Sequence, residues 1–591
     1  MKNSYIRTRA KLLTRQWARS TYIKSSTQLL MIAIGVGFLG GLGAVVFYKG
    51  LHFFTEFVRD ENHGLISILP SYLHFLIPAV GGLISGLLVY KLAPETEGHG
   101  TDAMIESFHN KGGKVRTRVP FVKAISSIIT IGTGGSAGYE GPTAQIGSGM
   151  GSILSRLLKV PEKMGRLILL AGTAAGLGAI FRAPLGGALT SVEVIYKEDF
   201  ESEGFLPCIV ASVVAYATYT QITHSTDAIF DMHGLQVTRP VELIFFGLLG
   251  ALCAPLSWFY TKAFYVTVEK FRSFNIPRHL KPALGGLGVG LIAYVFPEAI
   301  GGGWGYLEEI IHSHYATFFT ISVLLLVGFF KIVTTCLTVG SGGSGGVFGP
   351  SLFIGGVLGG FYGFSLNLIF PHLIANPSAY VLVGMGAFFA GVANAPLASI
   401  IMVCEITGNY NLLAPLMFAS IIHIMLSRKW SIYKNQRMNK FESPVHKNEL
   451  NTDVLRSITI SNIMSPQQQI TFVKQGDDLS VLRTLLEETD VEIYPVIGEA
   501  EEGKDGLVVG LLGMNELRKV ILETSAAHLV IVEDMMTPLY ALGMGMDLHG
   551  ASQIFLRSKQ SQLPVLDDQK KVIGLIRYQD IIQAYDEMVQ D

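Results

Sequence analysis

The sequence predicts an all-α polytopic membrane domain with inverted repeats and broken helices, followed by a smaller α/β domain. Three observations support this. Of the 591 residues, 49% are hydrophobic and only 15% are charged, which is typical of polytopic membrane proteins. The apolar stretches are numerous and uneven in length. Residues 1–440 carry 33 Lys and Arg against 22 Asp and Glu, whereas 441–591 carry 12 against 24, so a domain boundary is expected near 440.

Fourteen apolar stretches lie between residues 27 and 427. Several of them, such as 119–131, 183–196 and 395–406, are shorter than the roughly 20 residues that cross a bilayer. Glycine and proline separate these short stretches. Because helix ends inside the membrane are tolerated only where they line an enclosed cavity, we expect broken helices around a transport pathway.

The distribution of charge predicts the orientation of the chain. Residues 1–26 are basic and contain no acid, and the apolar span that follows is too long for a signal peptide, so they are expected to form a retained cytosolic N-terminus. The basic stretches 111–118 and 428–440 are placed on the same side, and the acidic stretch 56–61 outside. We therefore expect a multi-pass protein of the cell (inner) membrane with both termini in the cytosol.

Two segments of the first half recur in the second. Gly134–Pro142, GGSAGYEGP, returns 208 residues later as GGSGGVFGP, and an Ala-Pro-Leu segment followed by a glutamate recurs with an offset of 212 residues. Two matches in the same order at nearly the same offset indicate duplication, with repeats over roughly 27–225 and 240–435. Paired interrupted helices are typical of transporters and point to a binding site at the broken ends.

The helix starts in these segments favour an anion. A helix N-terminus offers unpaired backbone N–H groups and the positive end of the helix dipole, which can hold an anion without a full positive charge. Pro142 and Pro350 suit the first turns of helices that begin there.

The same residues carry a resemblance to a known family. Gly138-Tyr-Glu-Gly-Pro142 resembles the gating-glutamate motif of the chloride channel/transporter (CLC) family, and Gly346-Val-Phe-Gly-Pro350 resembles its second filter motif. The resemblance implies a CLC transmembrane domain over 27–435, with Glu140 as the gate. It further implies an anion-binding set that consists of His99, Gly138, Tyr139, Gly141, Val347, Phe348, Gly349 and Tyr433.

Two departures from the family pattern affect the expected function. His99 stands where the family commonly has a serine, which leaves the choice between chloride and nitrate or another anion open. Val194 stands where family members that exchange chloride for protons commonly carry an inner glutamate. The sequence therefore predicts passive or weakly coupled chloride transport gated by a pore glutamate, with a chloride/proton antiporter as the alternative.

Because each chain holds both repeats, we expect a homodimer with two complete pores in the lipid bilayer.

Three further charged residues in the apolar region have structural interpretations. Glu193 and Glu405 occupy equivalent repeat positions and are interpreted as symmetric structural residues. Lys331 ends an apolar run and is interpreted as reaching a membrane interface.

The acidic tail also contains two copies of one pattern. After a linker over 436–457, the segments 458–522 and 530–588 share Met-Ser/Thr-Pro and Pro-Val strings and resemble CBS modules, so the tail is predicted to be an α/β CBS pair that regulates transport. The resemblance makes Arg577 and Asp580 candidate contacts for an adenine nucleotide. A purely structural, dimerising pair is the alternative.

Other classes of protein have less support. A CBS-linked divalent-cation transporter would want clustered carboxylates at membrane depth, and the membrane half offers only dispersed ones. No catalytic triad, metal-binding set or Walker string is present, so we predict neither an enzyme nor a nucleic-acid binder, and no cofactor beyond the candidate nucleotide. The four cysteines lack metal-ligand spacing and are expected to be buried free thiols.

Overall fold

The computed structural model describes residues 25–60, 62–230, 232, 239–312, 317–446, 455–456, 458–464, 470–478, 481–482, 492–498, 507–521, 530–567 and 569–590. All but two residues of the predicted basic N-terminus therefore lie outside the described residues. The chain divides into two compact units between Val445 and His446. The first ten residues of the predicted linker over 436–457 thus belong to the first unit.

The described part of the first unit is built from α-helices joined by short turns. They are α1 Ser25–Arg59, α2 Leu65–Ile68, α3 Ile77–Leu92, α4 Gly100–Asn110, α5 Val119–Gly132, α6 Glu140–Leu158, α7 Glu162–Ile180, α8 Pro184–Glu193, α9 Ser202–Thr223, α10 Glu242–Ser273, α11 Lys281–Ala293, α12 Trp304–His312, α13 Phe318–Gly340, α14 Phe348–Ile369, α15 Ser378–Ala393, α16 Pro396–Thr407 and α17 Leu413–Ser427.

Seven helical segments in the described part of the chain are long and apolar enough to cross a membrane. Four more apolar helices, α5, α15, α16 and α17, have only 10–17 residues and are too short to cross it alone. The predicted polytopic all-α membrane domain with broken helices is confirmed.

The two halves of this unit repeat the same backbone. In chain order, α3 to α9 have counterparts in α11 to α17, and α1 has its counterpart in α10. Gly134 and Gly342, 208 residues apart, have φ of +103° and +102°, and Arg182 and Asn394, 212 residues apart, have φ of +54° and +51°. Left-handed backbone is uncommon outside glycine, so its recurrence at both repeat offsets reflects one duplicated chain path.

A pair of glutamates joins the repeats. The Glu193 carboxylate, at the end of α8, accepts hydrogen bonds from the Leu397 and Ala398 amides at 3.1 and 2.6 Å. The Glu405 carboxylate on α16 accepts from the Leu185 and Gly186 amides at 3.2 and 2.6 Å. Each acid thus caps the short helix of the opposite repeat and satisfies N–H groups that the helix leaves free. These contacts support the structural interpretation of both glutamates.

The second unit contains two small sheets of the same design. The strands are β1 Val473–Lys474, β2 Ile493–Ile497, β3 Val508–Gly513, β4 Thr537–Pro538, β5 Leu542–Gly543, β6 Gln562–Leu566 and β7 Val572–Arg577. Their order is β1-β2-β3-β4 in one sheet and β5-β6-β7 in the other. Each sheet has a parallel pair followed by an antiparallel pair, with a register shift at the same place in both copies.

The leading segments of the two copies are exchanged. The second copy's β4 pairs with the first copy's β3, with Thr537 opposite Leu511. Conversely, the amide of Ile460, which lies in the first copy, donates to the Met546 carbonyl at 2.9 Å, and its side chain belongs to the second copy's apolar core. Repeats in the sequence and packing units in space therefore do not coincide.

The four cysteines, all in the first unit, are buried and free, as predicted.

The carboxylate caps predict a loss of stability. We expect Glu405→Ala to lower the free energy of unfolding by about 2 kcal/mol, because two backbone N–H groups lose a charged acceptor. Thermal unfolding of the detergent-purified protein measures the change. Glu269→Ala, which removes an exposed carboxylate on α10, is the control and should change stability by less than about 0.5 kcal/mol. Equal melting temperatures for the two variants would contradict a capping role.

Candidate functional site

Two glycine-rich loops meet at the centre of the membrane unit. The Gly138 amide donates to the Gly346 carbonyl at 2.8 Å, and the Gly346 amide donates back to the Gly138 carbonyl at 2.7 Å. These are equivalent residues of the two repeats, and they pair antiparallel. A residue can pair this way with its own counterpart only near a local two-fold axis, as inverted repeats require. The pairing brings the starts of α6 and α14 to one point, with Pro142 and Pro350 in their first turns.

Glu140 crosses from one repeat to the other. Its side chain is fully buried, and Oε2 accepts a hydrogen bond from the Gly349 amide at 3.2 Å. Oε1 has no hydrogen-bond partner among the described residues. The carboxylate therefore lies at the N-terminus of α14, where the free N–H groups of a helix would hold any small anion.

The first repeat supplies a third loop to the same place. The Gly98 amide donates to the Gly343 carbonyl at 3.2 Å, and the Gly345 amide donates to the Gly98 carbonyl at 3.4 Å. His99 follows as the N-cap of α4 and is 9% exposed. Its Nδ1 finds no hydrogen-bond partner in the described part of the chain. An imidazole nitrogen thus stands available where three loops converge.

Tyr433 completes the group. It is 1% exposed and is therefore enclosed by the protein, not at a lipid-facing surface. Its ring centroid lies 5.6 Å from that of His99, and its hydroxyl faces the Thr101 side chain. The contacts thus join all four segments that carry the predicted anion site: those around His99, Glu140, Phe348 and Tyr433.

Not every predicted site residue points to this centre. The Tyr139 ring stacks on Trp304 at 6.0 Å, and the Phe348 ring packs on Phe389 at 4.0 Å and on Phe181 at 5.0 Å. Val347 is the buried N-cap of α14. These side chains support the helix starts by packing, so the groups they can offer an anion are their backbone amides.

Two buried lysines hold the loops in place. Lys123 Nζ donates to the Thr96 and Gly98 carbonyls at 3.1 and 2.6 Å, and Lys331 Nζ donates to the Ile300 and Gly301 carbonyls at 3.3 and 2.7 Å. Sequence analysis missed Lys123, although the 208-residue repeat offset links it to Lys331. The interfacial interpretation of Lys331 is wrong, because its side chain is fully buried and bonded.

Val194 lies among polar neighbours but cannot carry a proton. It is fully buried, and its carbonyl accepts from Gln436 Nε2 at 3.1 Å. The acid beside it, Glu193, is held by the amides of α16. The described contacts therefore offer no ready substitute at this position.

The tail unit contains a cavity of about 550 Å³. Arg577 and Lys559 line it, together with Glu492 and Tyr578. Asp580 instead turns its carboxylate to the Arg577 amide, at 2.9 Å, and to the Arg577 guanidinium, at 3.2 Å. Of the two predicted nucleotide contacts, Arg577 therefore lines the cavity, while Glu492 is an acid of the lining that sequence analysis missed.

Known proteins match the chain over both units. The family model described as voltage gated chloride channel matches residues 81–428, and the CBS domain model matches 531–587. An H(+)/Cl(-) exchange transporter ClcA from Vibrio parahaemolyticus is 32% identical over 411 residues, covering 68% of this chain and 86% of that protein. A ClcB-like protein from Ralstonia nicotianae, named as a chloride channel, is 30% identical and covers 66% of this chain and 92% of its own.

Solved structures show the same fold. A slow cyanobacterial Cl-/H+ antiporter aligns with a TM-score of 0.62 at 24% identity, over 69% of this chain and 95% of that one. A eukaryotic CLC transporter aligns with a TM-score of 0.57 at 20% identity, over 94% of this chain and 98% of that one.

The loop pairing predicts that Gly346 tolerates no side chain. A Cβ added there would lie 2.8 Å from both the Gly138 carbonyl oxygen and the Gly141 amide nitrogen. We expect Gly346→Ala to separate the loops, lower stability by about 2 kcal/mol or more and remove most anion flux. Flux from proteoliposomes and thermal unfolding measure these effects. Gly305→Ala is the control, because a Cβ there meets no atom within 4 Å. Unchanged flux in Gly346→Ala would contradict the loop assignment.

Proposed function

Because the chain belongs to the voltage gated chloride channel family, we propose that it exchanges chloride for protons across the membrane, with Glu140 as the gate. The observation that carries this proposal is the bond between the Glu140 carboxylate and the Gly349 amide. A carboxylate on the N–H groups that would otherwise hold chloride competes with the anion, and proton binding to that carboxylate relieves the competition.

The gate works by competition. While Glu140 is ionised it occupies the start of α14 and excludes chloride from it. Protonation removes the negative charge, weakens the attachment to the helix dipole and frees the amides for chloride. Transport then uses the gradients of the two ions and needs no hydrolysis.

The relatives favour exchange over the passive pathway preferred by sequence analysis. Matching proteins from several Vibrio species are named as H(+)/Cl(-) exchange transporters. The passive interpretation rested on Val194 alone, and a valine removes one proton carrier without preventing protons from reaching Glu140 by another path. Chloride is the substrate that the family membership supports, and His99 offers an imidazole where a hydroxyl is common.

Assembly and location stay predictions. Each chain holds both repeats and can close a pathway alone, so a homodimer would contain two complete pores. The membrane-spanning fold and the bacterial relatives support placement in the cell (inner) membrane with both termini in the cytosol.

We infer that the CBS pair binds an adenine nucleotide and regulates transport. The cavity has room for a nucleotide, Arg577 and Lys559 supply positive charge for phosphate, and Tyr578 and Phe555 supply rings against which a base could pack. Glu492 is an acceptor for ribose hydroxyls.

Neutralising the gate should uncouple the two ions. We expect Glu140→Gln to raise chloride flux several-fold at pH values where the wild-type carboxylate is ionised, to flatten the pH dependence of flux and to abolish proton movement. The measurement is chloride and pH recording on proteoliposomes under crossed gradients. Glu269→Gln is the control. Wild-type protein that moves no protons against their gradient would overturn exchange, and pH-dependent flux in Glu140→Gln would remove Glu140 from the gate.

Nucleotide binding can be tested on the full-length protein by titration with ATP and AMP. We expect Arg577→Ala to weaken binding at least tenfold, about 1.4 kcal/mol, because a phosphate loses a charged donor. Arg557→Ala, an exposed arginine on the helix Leu548–Ser558, should bind as the wild type does. If neither nucleotide binds the wild-type protein, the structural alternative for the pair is correct.

A further inference from the structure

Asp102 lies beside the proposed anion site. The gate mechanism described above does not involve its carboxylate. It lies in the first turn of α4, three residues after His99, and its side chain is partly buried. Oδ1 accepts from the Asn435 amide at 2.8 Å and Oδ2 accepts from Asn435 Nδ2 at 2.9 Å. Asn435 follows Tyr433 by two residues, so these bonds fix the carboxylate next to the tyrosine that faces the site.

The neighbourhood of Asp102 connects it to Glu140. The Tyr433 hydroxyl interacts electrostatically with both the Asp102 and the Glu140 carboxylates. Tyr265 on α10 also faces Asp102 and donates from its hydroxyl to the Ile432 carbonyl at 2.7 Å. Glu106 on its own helix and Lys434 beside Tyr433 are charged groups that act on Asp102.

The position also suits access from the cytosol. From Asp102 to the end of α4 at Asn110 is about 12 Å along the helix, and the predicted cytosolic loop 111–118 follows. A proton that crosses the apolar interior needs titratable groups or water on its way, and Val194 provides none.

We propose that Asp102 is the inner proton acceptor through which protons from the cytosol reach Glu140; this rests on the proposed exchange function. The Asp102 carboxylate takes one proton from cytosolic water and becomes neutral. It then releases that proton into the site past Tyr433 and His99, returns to the carboxylate, and Glu140 takes the proton up. One proton enters and one leaves per cycle, so no other reactant is needed.

Proteoliposomes test the proposal, with chloride and proton fluxes recorded together for wild type, Asp102→Asn and Asp102→Glu. We expect Asp102→Asn to keep chloride flux within about threefold and to lower the ratio of protons to chloride at least tenfold, and Asp102→Glu to keep the ratio. A purely structural role would lower both fluxes together and leave their ratio unchanged. Glu269→Gln, which neutralises an exposed carboxylate on α10, is the control and should leave the ratio unchanged.

Failure of this proposal differs from failure of the exchange function. If wild type pumps protons and Asp102→Asn pumps them at the same ratio, Asp102 is not the acceptor and exchange stands. If wild type pumps none, exchange fails and the acceptor role with it. Should Asp102→Asn not fold, Asp102→Ser keeps an oxygen for the Asn435 amide, cannot titrate in this range, and decides the question in the same assay.

Discussion

The membrane unit depends on holding two helix N-termini together at one point in its interior. The partial positive charges of the backbone N–H groups at the two helix starts repel each other. Hydrocarbon offers no acceptor in place of the water that these groups would otherwise bind. The reciprocal hydrogen bonds between Gly138 and Gly346 hold the loops, and the absence of side chains at both residues allows the approach. The hydrogen-bonding capacity left free at the starts of α6 and α14 is where we propose that the anion binds.

Other charged side chains nearby bind the backbone groups that the broken helices and their loops leave without partners. Lys123 and Lys331 each donate to two carbonyls in the loop before a short helix, one lysine per repeat. Glu193 and Glu405 likewise serve the N–H groups of the opposite repeat's short helix. Charged side chains at membrane depth therefore serve the backbone here. A carboxylate with an oxygen left unpartnered among the described residues, as in Glu140, stands out against this background.

The tail is stabilised in a different way, by segments that its two copies exchange. Its two sheets are small, and each gains a further segment from the other copy, with β4 on β3 and Ile460 in the second core. Exchange of this kind makes each copy's core incomplete without the other. The cavity with Arg577 and Glu492, drawn from different copies, is a consequence of that arrangement.

The sequence by itself determined the duplicated membrane fold, the starts of the helices at the site and the family resemblance, because glycine, proline and apolar spacing act locally on the backbone. The repetition also predicted the two glycine-rich segments that meet at the site, and the family resemblance implied the segments around His99 and Tyr433. Only the tertiary structure decided which charges are buried and what they bind. Lys331 looks interfacial in the chain but is enclosed by loop carbonyls, and Asp102 finds its partner Asn435 333 residues away. Such contacts arise from packing between distant segments, and no local pattern encodes them.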